Sequence, residues 1–413
     1  MSEGTSLDLQ KKGGKTTRAS DDEPVTTSLA ARRNAGLVAA SRAQWLAAAA
    51  AFLLFLILSI GDALTRCPWW DEGMCADVAM TVRNFGHMGS SLIAPYGFIE
   101  WPGVQQYTYW QLPLYMLALG GWFRLVPPTL VAMRLFSLMW GCIFLASWFA
   151  IVRSVSRNEV LALLVCSAVG LDYVSITTAS DGRTDMMCAG LGLAALAWYL
   201  SLRESNWSAG LLGASCLAAA SLFCHPMGVI SSLWLAGMVG LDWRRIKWGA
   251  LAWAALPYMA GLFACLYYIQ QAPDIFKAQS RAVAEYRSTG VGAILFNILN
   301  DFPERYLRYG FWQYPGFDRL KFIFLIFPVI GIVGVLADRS LRTQPLSKRL
   351  IMMALIAYVA VAVIDNQKYA MYEIYLVPTL IASGPSGCMR IGIEACCAGW
   401  SLAGCLRLQL WQP

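Results

Sequence analysis

The sequence predicts an all-α polytopic membrane bundle of about 10–11 transmembrane spans, with juxtamembrane helices in the first extracytoplasmic loop. Hydrophobic residues make up 58% of the 413-residue chain and charged residues only 14%, against about 25% charged residues in soluble domains. Apolar stretches of about 20 residues recur, which is the length that a helix needs to cross a bilayer. Basic residues flank these stretches in small groups, and this is positive-inside patterning rather than a nucleic-acid-binding face.

The chain divides into three regions. Residues 1–43 are polar and basic and lack a hydrophobic signal region, so we expect a disordered cytoplasmic tail. Residues 44–385 form the predicted transmembrane catalytic domain, and 386–413 form a short, divergent C-terminal segment. Within the domain, 64–129 and 270–319 are the long extracytoplasmic loops.

The predicted spans share a length of roughly 15–23 apolar residues. They lie at about 44–63, 130–152, 159–178, 185–202, 207–223, 227–241, 249–269, 320–337, 350–364 and 371–385, with a weak candidate near 394–408. Residues 112–126 are also apolar, but they are short and carry Arg124, which favours a re-entrant or interfacial segment.

The charges decide whether 112–126 crosses the membrane. If it crossed, the pairs Arg153/Arg157 and Arg244/Arg245 would both lie outside, against the positive-inside rule. If it does not cross, both pairs lie in the cytoplasm together with the N-terminus. We therefore predict the second topology, in a cell (inner) membrane.

This topology places the polar segments on the extracytoplasmic face. Polar residues grouped on one face of an apolar protein indicate a single site there. The segments are the loop 64–129, Ser180–Asp185, His225–Pro226, the loop 270–319 and Asp365–Tyr369.

Trp69, Trp70, Asp71 and Glu72 follow the first span directly. Two carboxylates beside two tryptophans suit a general base with an aromatic platform for a sugar. The alternative is an interfacial tryptophan belt followed by the acidic N-terminus of a helix. Glu100 is a further acid in the same loop, where it is either functional or simply solvated.

Residues 71–86 are predicted to form an amphipathic surface helix. Met74, Val78, Val82 and Phe85 recur at helical spacing and define its apolar stripe.

Arg183 and Asp185 stand at the entrance of a later span. Arg183 suits bidentate binding of a phosphate. The ordinary explanation, which the local pattern favours, is that Thr184 or Asp185 caps the helix and that Arg183 pairs with Asp181 or Asp185. His225 is one of only two histidines, which argues against a zinc site, and it either contacts a phosphate or forms a helix-terminal hydrogen bond.

The loop 270–319 carries arginines on the face that the positive-inside rule disfavours. An anionic ligand at the outer leaflet explains them, because guanidinium groups match phosphate geometry. The alternative is that long loops translocate regardless of charge. The candidate cations of this loop are Arg281, Arg287 and Arg305. In the last outer loop, Lys368 and Tyr369 again place a basic residue beside an aromatic one.

Together these segments resemble the GT-C superfamily of membrane glycosyltransferases, in particular its protein O-mannosyltransferase-like and aminoarabinose-transferase-like branch. The resemblance covers about 44–385. It rests on five segments that are similar to family motifs in order and spacing: Asp71–Ala76, Leu112–Tyr115, Arg134–Ser137, Arg183–Met186 and Lys368–Pro378. Gln111 and Cys75 stand where the family usually has a lysine and an aromatic residue.

The resemblance implies an inverting transfer of a hexosyl or pentosyl group from a polyprenyl-phosphate donor to a hydroxyl of a glycan, lipid or protein in the cell envelope. Asp71 would be the general base, with Glu72 or Glu100 orienting the acceptor. The donor phosphate would be bound by basic side chains, namely Arg183, His225, Arg281, Arg287, Arg305 and Lys368. The sugar or lipid would be contacted by a largely aromatic set, namely Trp69, Trp70, Tyr115, Asp185 and Tyr369. A divalent cation between Asp71 and Glu100 is a further option.

Two alternative functions, from other classes of membrane protein, stay open. A secondary transporter predicts charges at mid-span and paired broken helices, of which the sequence shows few. A non-catalytic lipid-binding subunit is favoured if the departures at Gln111 and Cys75 reflect lost activity.

Overall fold

The structure is a computed structural model that describes residues 38–92, 102–245, 247–287, 291–301, 303–305, 333, 344–365 and 370–382. Within these ranges the elements are helices, with no β-strand, which confirms the predicted all-α bundle. The described helices belong to one compact unit that begins at Ala39.

The helices are joined mostly by short loops and 3-10 turns. Their bounds are α1 Arg42–Thr65, α2 Trp70–Phe85, α3 Pro113–Leu125, α4 Leu130–Ser156, α5 Glu159–Gly170, α6 Tyr173–Ala179, α7 Thr184–Leu202, α8 Trp207–Cys224, α9 Val229–Leu241, α10 Trp248–Gln270, α11 Pro273–Arg287, α12 Val291–Asp301 and α13 Pro345–Ile364. The 3-10 turns are Pro226–Gly228, Trp243–Arg245 and Ala370–Tyr375.

Among the described helices, α1, α4, α7, α8, α10 and α13 are long and apolar enough to cross a membrane. The chain is therefore an integral membrane protein. Pro226–Leu241 and Met371–Ala382 are shorter apolar helices. The predicted spans at 320–337, apart from residue 333, and at 394–408 lie outside the described residues. The expected total of about 10–11 spans thus stays a prediction.

The predicted span 159–178 is broken in two. Helices α5 and α6 together have the composition of one span, but they are bent by 66°. The carboxylate of Asp172 accepts a hydrogen bond from the Val174 backbone N–H at 3.0 Å, so a new helix begins at the break.

The ends of the spanning helices form two sets. One set, the site end, is linked by contacts of Asp71 with Arg183 and of Glu72 with Arg134. The other set, the basic end, is linked by ion pairs of Arg153 with Glu159, of Arg157 with Glu204, and of Arg203 and Arg349 with Asp242. The predicted cytoplasmic loops meet at the basic end, and the predicted outer segments Ser180–Asp185 and 64–72 meet at the site end.

Helix α2 lies at the site end and packs on α3. Its buried face is formed by Cys75, Val78, Ala79 and Val82, whereas Phe85 is 73% exposed. The predicted stripe was therefore right at its centre and wrong at Phe85. Gly86, at φ +76°, ends α2, so the chain turns away before Phe85 can be covered.

Helix α3 occupies most of the segment 112–126. Its 13 residues span about 20 Å, short of the roughly 30 Å of hydrocarbon, as expected for a segment that does not cross. Gly120 allows close packing, since an added Cβ would lie 2.8 Å from Val82 Cγ1 of α2. The two short helices thereby form one layer over the start of α4.

Candidate active site

Glu72, in the first turn of α2, is buried and accepts four hydrogen bonds. Its Oε1 accepts from Arg134 Nε and from the Gly182 N–H, both at 2.8 Å. Its Oε2 accepts from Arg134 Nη2 at 2.7 Å and from the Trp69 N–H at 2.9 Å. Burial opposes ionisation, but the bonds from Arg134 and the backbone outweigh it, so the pKa of Glu72 lies below its usual value.

Arg134 is a buried charge near the beginning of α4. Besides Glu72, its Nη1 donates to the carbonyls of Ala63 at 2.8 Å and Arg66 at 3.0 Å. These are orphan carbonyls at the C-terminal end of α1, which need donors. The pair therefore joins α1, α2, α4 and the loop before α7.

Arg183 lies between two aspartates. Its Nη1 forms an ion pair with Asp71, and its Nε bonds Asp185 Oδ2 at 3.1 Å. The neighbouring carboxylates outweigh the desolvation of Arg183, so its pKa is raised above the usual value. Asp71 retains 22% side-chain exposure, whereas Glu72 and Asp185 are 1% exposed.

Asp181 is a further acid of this cluster. Burial raises its pKa to about 7, with Arg183 opposing the shift and Glu72 and Asp185 adding to it. Among the described residues, neither Asp181 Oδ1 nor Asp185 Oδ1 has a hydrogen-bond partner, although both atoms are buried. Such orphaned acceptors suit hydroxyl donors of a bound sugar.

The cluster has an excess of acids. Four carboxylates surround two guanidinium groups, and burial raises the pKa of one of the four, that of Asp181, to about 7. The members of this acid cluster are Asp71, Glu72, Asp181 and Asp185 with Arg134 and Arg183. A phosphate bound here would therefore need further cations nearby.

Three solved structures are similar to the chain, each at 13% identity. ArnT from Cupriavidus metallidurans bound to undecaprenyl phosphate has a TM-score of 0.55 over 84% of this chain and 60% of its own. Apo ArnT gives 0.53 over 81% and 58%. The archaeal oligosaccharyltransferase AglB from Archaeoglobus fulgidus, in complex with an inhibitory peptide and a dolichol-phosphate, gives 0.52 over 83% and 50%.

The chain has the GT-C fold. It spans 50–60% of the length of these structures. No protein-family model matches the sequence. No curated protein matches it either.

Two positions at which the chain departs from the usual GT-C pattern contact each other. Cys75 Sγ lies 3.5 Å from Gln111 Oε1. Burial raises the pKa of the Cys75 thiol to about 12, so the thiol is neutral. Where the family usually has a lysine ammonium, this GT-C fold therefore presents an uncharged pair beside its acid cluster.

His225 and Tyr115 each contact residues outside the acid cluster. His225 Nδ1 accepts from the Met227 N–H at 3.2 Å, and its ring lies 5.6 Å from that of Tyr372. Tyr115 is fully buried and packs on Phe136 at a ring distance of 5.9 Å. Trp69 and Trp70 are exposed at the start of α2.

The remaining predicted residues are not joined to this cluster in the described structure. Arg281 is exposed on α11, and buried Arg305 pairs with Asp301 at 3.0 Å and Asp365 at 2.9 Å. The others lie outside the residues whose side chains are described: Glu100, Arg287, Lys368 and Tyr369.

Sequence reasoning assigned no role to Arg134 or to Asp181. An ionisable residue inside an apolar span is a signal of function or of a buried partner, and Arg134 gives that signal in α4. The local sequence gives no such signal for Asp181, because the raised pKa of this carboxyl depends on its burial by distant segments.

Proposed function

We propose that this GT-C protein is a glycosyltransferase that moves a sugar from a polyprenyl-phosphate-linked donor to an acceptor hydroxyl. The observation that carries the proposal is the Asp71–Arg183 ion pair, which sets a partly exposed carboxylate at the edge of a buried polar cluster. Two of the three similar solved structures contain undecaprenyl phosphate or a dolichol-phosphate, which are lipid carriers of the proposed kind. The positive-inside pattern supports an extracytoplasmic site and a cytoplasmic N-terminus in a cell (inner) membrane.

Asp71 acts as the general base because it is the most exposed carboxylate among Asp71, Glu72 and Asp185. It accepts the proton of the acceptor hydroxyl while that oxygen forms a bond to the anomeric carbon. The bond from the anomeric carbon to the phosphate oxygen breaks, and its electron pair leaves with the phosphate. The hydroxyl attacks the face opposite the leaving group, so the configuration inverts.

Glu72 and Arg183 position the base. Both oxygens of Glu72 accept bonds that fix the first turn of α2, and Arg183 orients the Asp71 carboxylate. Asp185 and Asp181 accept hydroxyl donors of the sugar. The departing phosphate is stabilised by groups beyond the acid cluster, for which the cations Arg281 and Lys368 and the ring N–H of His225 are the candidates.

A divalent cation is a separate part of the proposal. In the described part of the chain, no group of three or more His, Cys, Asp and Glu side chains is arranged to hold a metal. Such an ion would need Glu100 or phosphate oxygens of the donor in addition to Asp71. Transfer that persists in excess chelator would rule it out.

The test uses the full chain in proteoliposomes with radiolabelled polyprenyl-phosphate hexoses and pentoses. The enzyme cleaves a donor, whereas a transporter moves it intact and a lipid-binding subunit only retains it. Asp71→Asn is expected to lower turnover by at least ~100-fold without unfolding the protein. Asp274→Asn is the matched control, since this α11 carboxylate is 97% exposed, and it should keep full activity. Equal turnover in both variants would remove Asp71 from the role of base.

A further inference from the structure

An apolar groove adjoins the acid cluster on another face of α2. It has a volume of about 530 Å³ and runs between α2, the C-terminal half of α3 and the start of α4. Gly73, Ala76 and Met80 line it from α2, Phe123 from α3 and Met133 from α4. The volume is typical of ligand pockets, and the lining is suited to hydrocarbon.

The groove opens at the level of the membrane interface. Trp69 and Trp70 line it and are 49% and 68% exposed. Exposed tryptophans at the end of a span are typical of the boundary between hydrocarbon and headgroups. Lipid chains are therefore the apolar groups available at its mouth.

The groove and the acid cluster share a wall. Glu72 lines the groove and also binds Arg134 and the Gly182 N–H. Met133 lines it as well, and an added Cβ at Gly182 would lie 2.8 Å from Met133 Cγ. The two sequence neighbours of Asp71, Trp70 and Glu72, therefore both line the groove.

We infer that this groove holds a hydrocarbon chain of a lipid acceptor, whose headgroup hydroxyl reaches Asp71. The inference rests on the proposed function, because it names the acceptor class of that reaction. The acceptor rather than the donor is assigned because the base must contact the acceptor hydroxyl, while an inverting displacement keeps the departing phosphate on the opposite face of the sugar. A lipid that arrives beside Asp71 is on the acceptor side.

Gly73 offers a direct way to fill the groove. An added Cβ at this helical position meets no atom within 4 Å, so Gly73→Phe can project into the groove without strain at the backbone. Gly121 of α3 also has nothing within 4 Å, is exposed and does not line the groove, so Gly121→Phe is the matched control. Ala76→Phe blocks the groove independently if Gly73→Phe does not fold.

The binding experiment uses nanodiscs with phosphatidylglycerol that carries a diazirine in one acyl chain. Irradiation of the wild type and of Gly121→Phe is expected to label Met80, Phe123 or Met133. Both groove variants should lower that labelling by about 10-fold, since expelling two methylenes already costs this much affinity. Absent labelling in the wild type, or equal labelling in all variants, would overturn the inference. Loss of the label to added polyprenyl phosphate would also overturn it, because the groove would then hold the donor.

A kinetic experiment separates this inference from the proposed function. Gly73→Phe should raise KM for the lipid acceptor by about 10-fold and leave KM for the donor unchanged. If the wild type cleaves the donor but Gly73→Phe raises only the donor KM, the groove assignment is wrong and the glycosyltransferase proposal stands. If the wild type cleaves no donor, the proposed function fails, and the labelling result still decides what the groove binds.

Discussion

Glu72 and Arg134 form a buried two-point ion pair across 62 residues of sequence, with Oε1–Nε at 2.8 Å and Oε2–Nη2 at 2.7 Å. The pair joins the first turn of α2 to the beginning of α4. Because Asp71 is in the same turn, its position depends on this contact. The Gly182 N–H, also bound to Glu72, ties the loop that carries Arg183 to the same point.

Arg134→Met is expected to destabilise the protein by roughly 3–5 kcal/mol, because it leaves the Glu72 carboxylate buried without its counter-charge. The loss should appear as a lower unfolding temperature in detergent. Arg153→Met is the control, since Arg153 is 46% exposed and such a pair contributes about 0–1 kcal/mol. Equal losses in the two variants would show that the Glu72–Arg134 pair is not a stabilising contact.

The sequence predicted which segments share one end of the bundle, but it did not predict which charged residues pair with each other. Summed over several loops, the basic residues predicted that Ser180–Asp185 and the Asp71–Glu72 pair lie on one face, and Asp71 does contact Arg183. The rotation and tilt of each helix then decide which charges meet. Nothing in the local pattern showed that Arg134 would bind Glu72, or that Asp301 and Asp365 would surround Arg305.

The pKa of Asp181 gives a pH dependence with a definite sign. Its folded value of about 7 lies above the reference value of 3.8. The folded state therefore retains a proton that the unfolded state has lost. This contribution to stability is complete below about pH 4 and is lost as the pH rises through about 7. Asp181→Asn cannot ionise, so it should be more stable than the wild type at pH 8 and equal to it near pH 4.

The measurement is the unfolding temperature of both proteins from pH 4 to pH 8. The pH dependence of the activity should reflect the same ionisation, because an ionised Asp181 adds negative charge beside an anionic donor. We expect KM for the donor to rise above about pH 7 in the wild type and to stay flat in Asp181→Asn. A pH profile that is identical in both proteins would contradict the raised pKa.

Gln111→Lys should strengthen donor binding. The substitution puts an ammonium next to Cys75 and near the acid cluster, whose excess negative charge stabilises it. A charge-assisted bond to the donor phosphate is expected to raise the affinity for polyprenyl phosphate by about 10-fold. Gln111→Met is the control of similar length and should give no gain. Weaker binding by the lysine variant would place the phosphate away from Gln111.

Substitutions of Arg281 and Arg305 distinguish an arginine that binds phosphate from one that stabilises the fold. Arg305 is fully buried between Asp301 and Asp365, so it links the end of α12 to the end of α13. Arg305→Gln should leave the two carboxylates without their shared cation and lower the unfolding temperature, while the folded protein keeps its KM for the donor. Arg281 is exposed on α11, and Arg281→Gln should leave the unfolding temperature unchanged but raise KM for the donor if its guanidinium contacts the phosphate. Measuring the unfolding temperature and KM for both variants assigns each arginine. A raised KM without any loss of stability in Arg305→Gln would show that the ion pairs with Asp301 and Asp365 open to admit the donor.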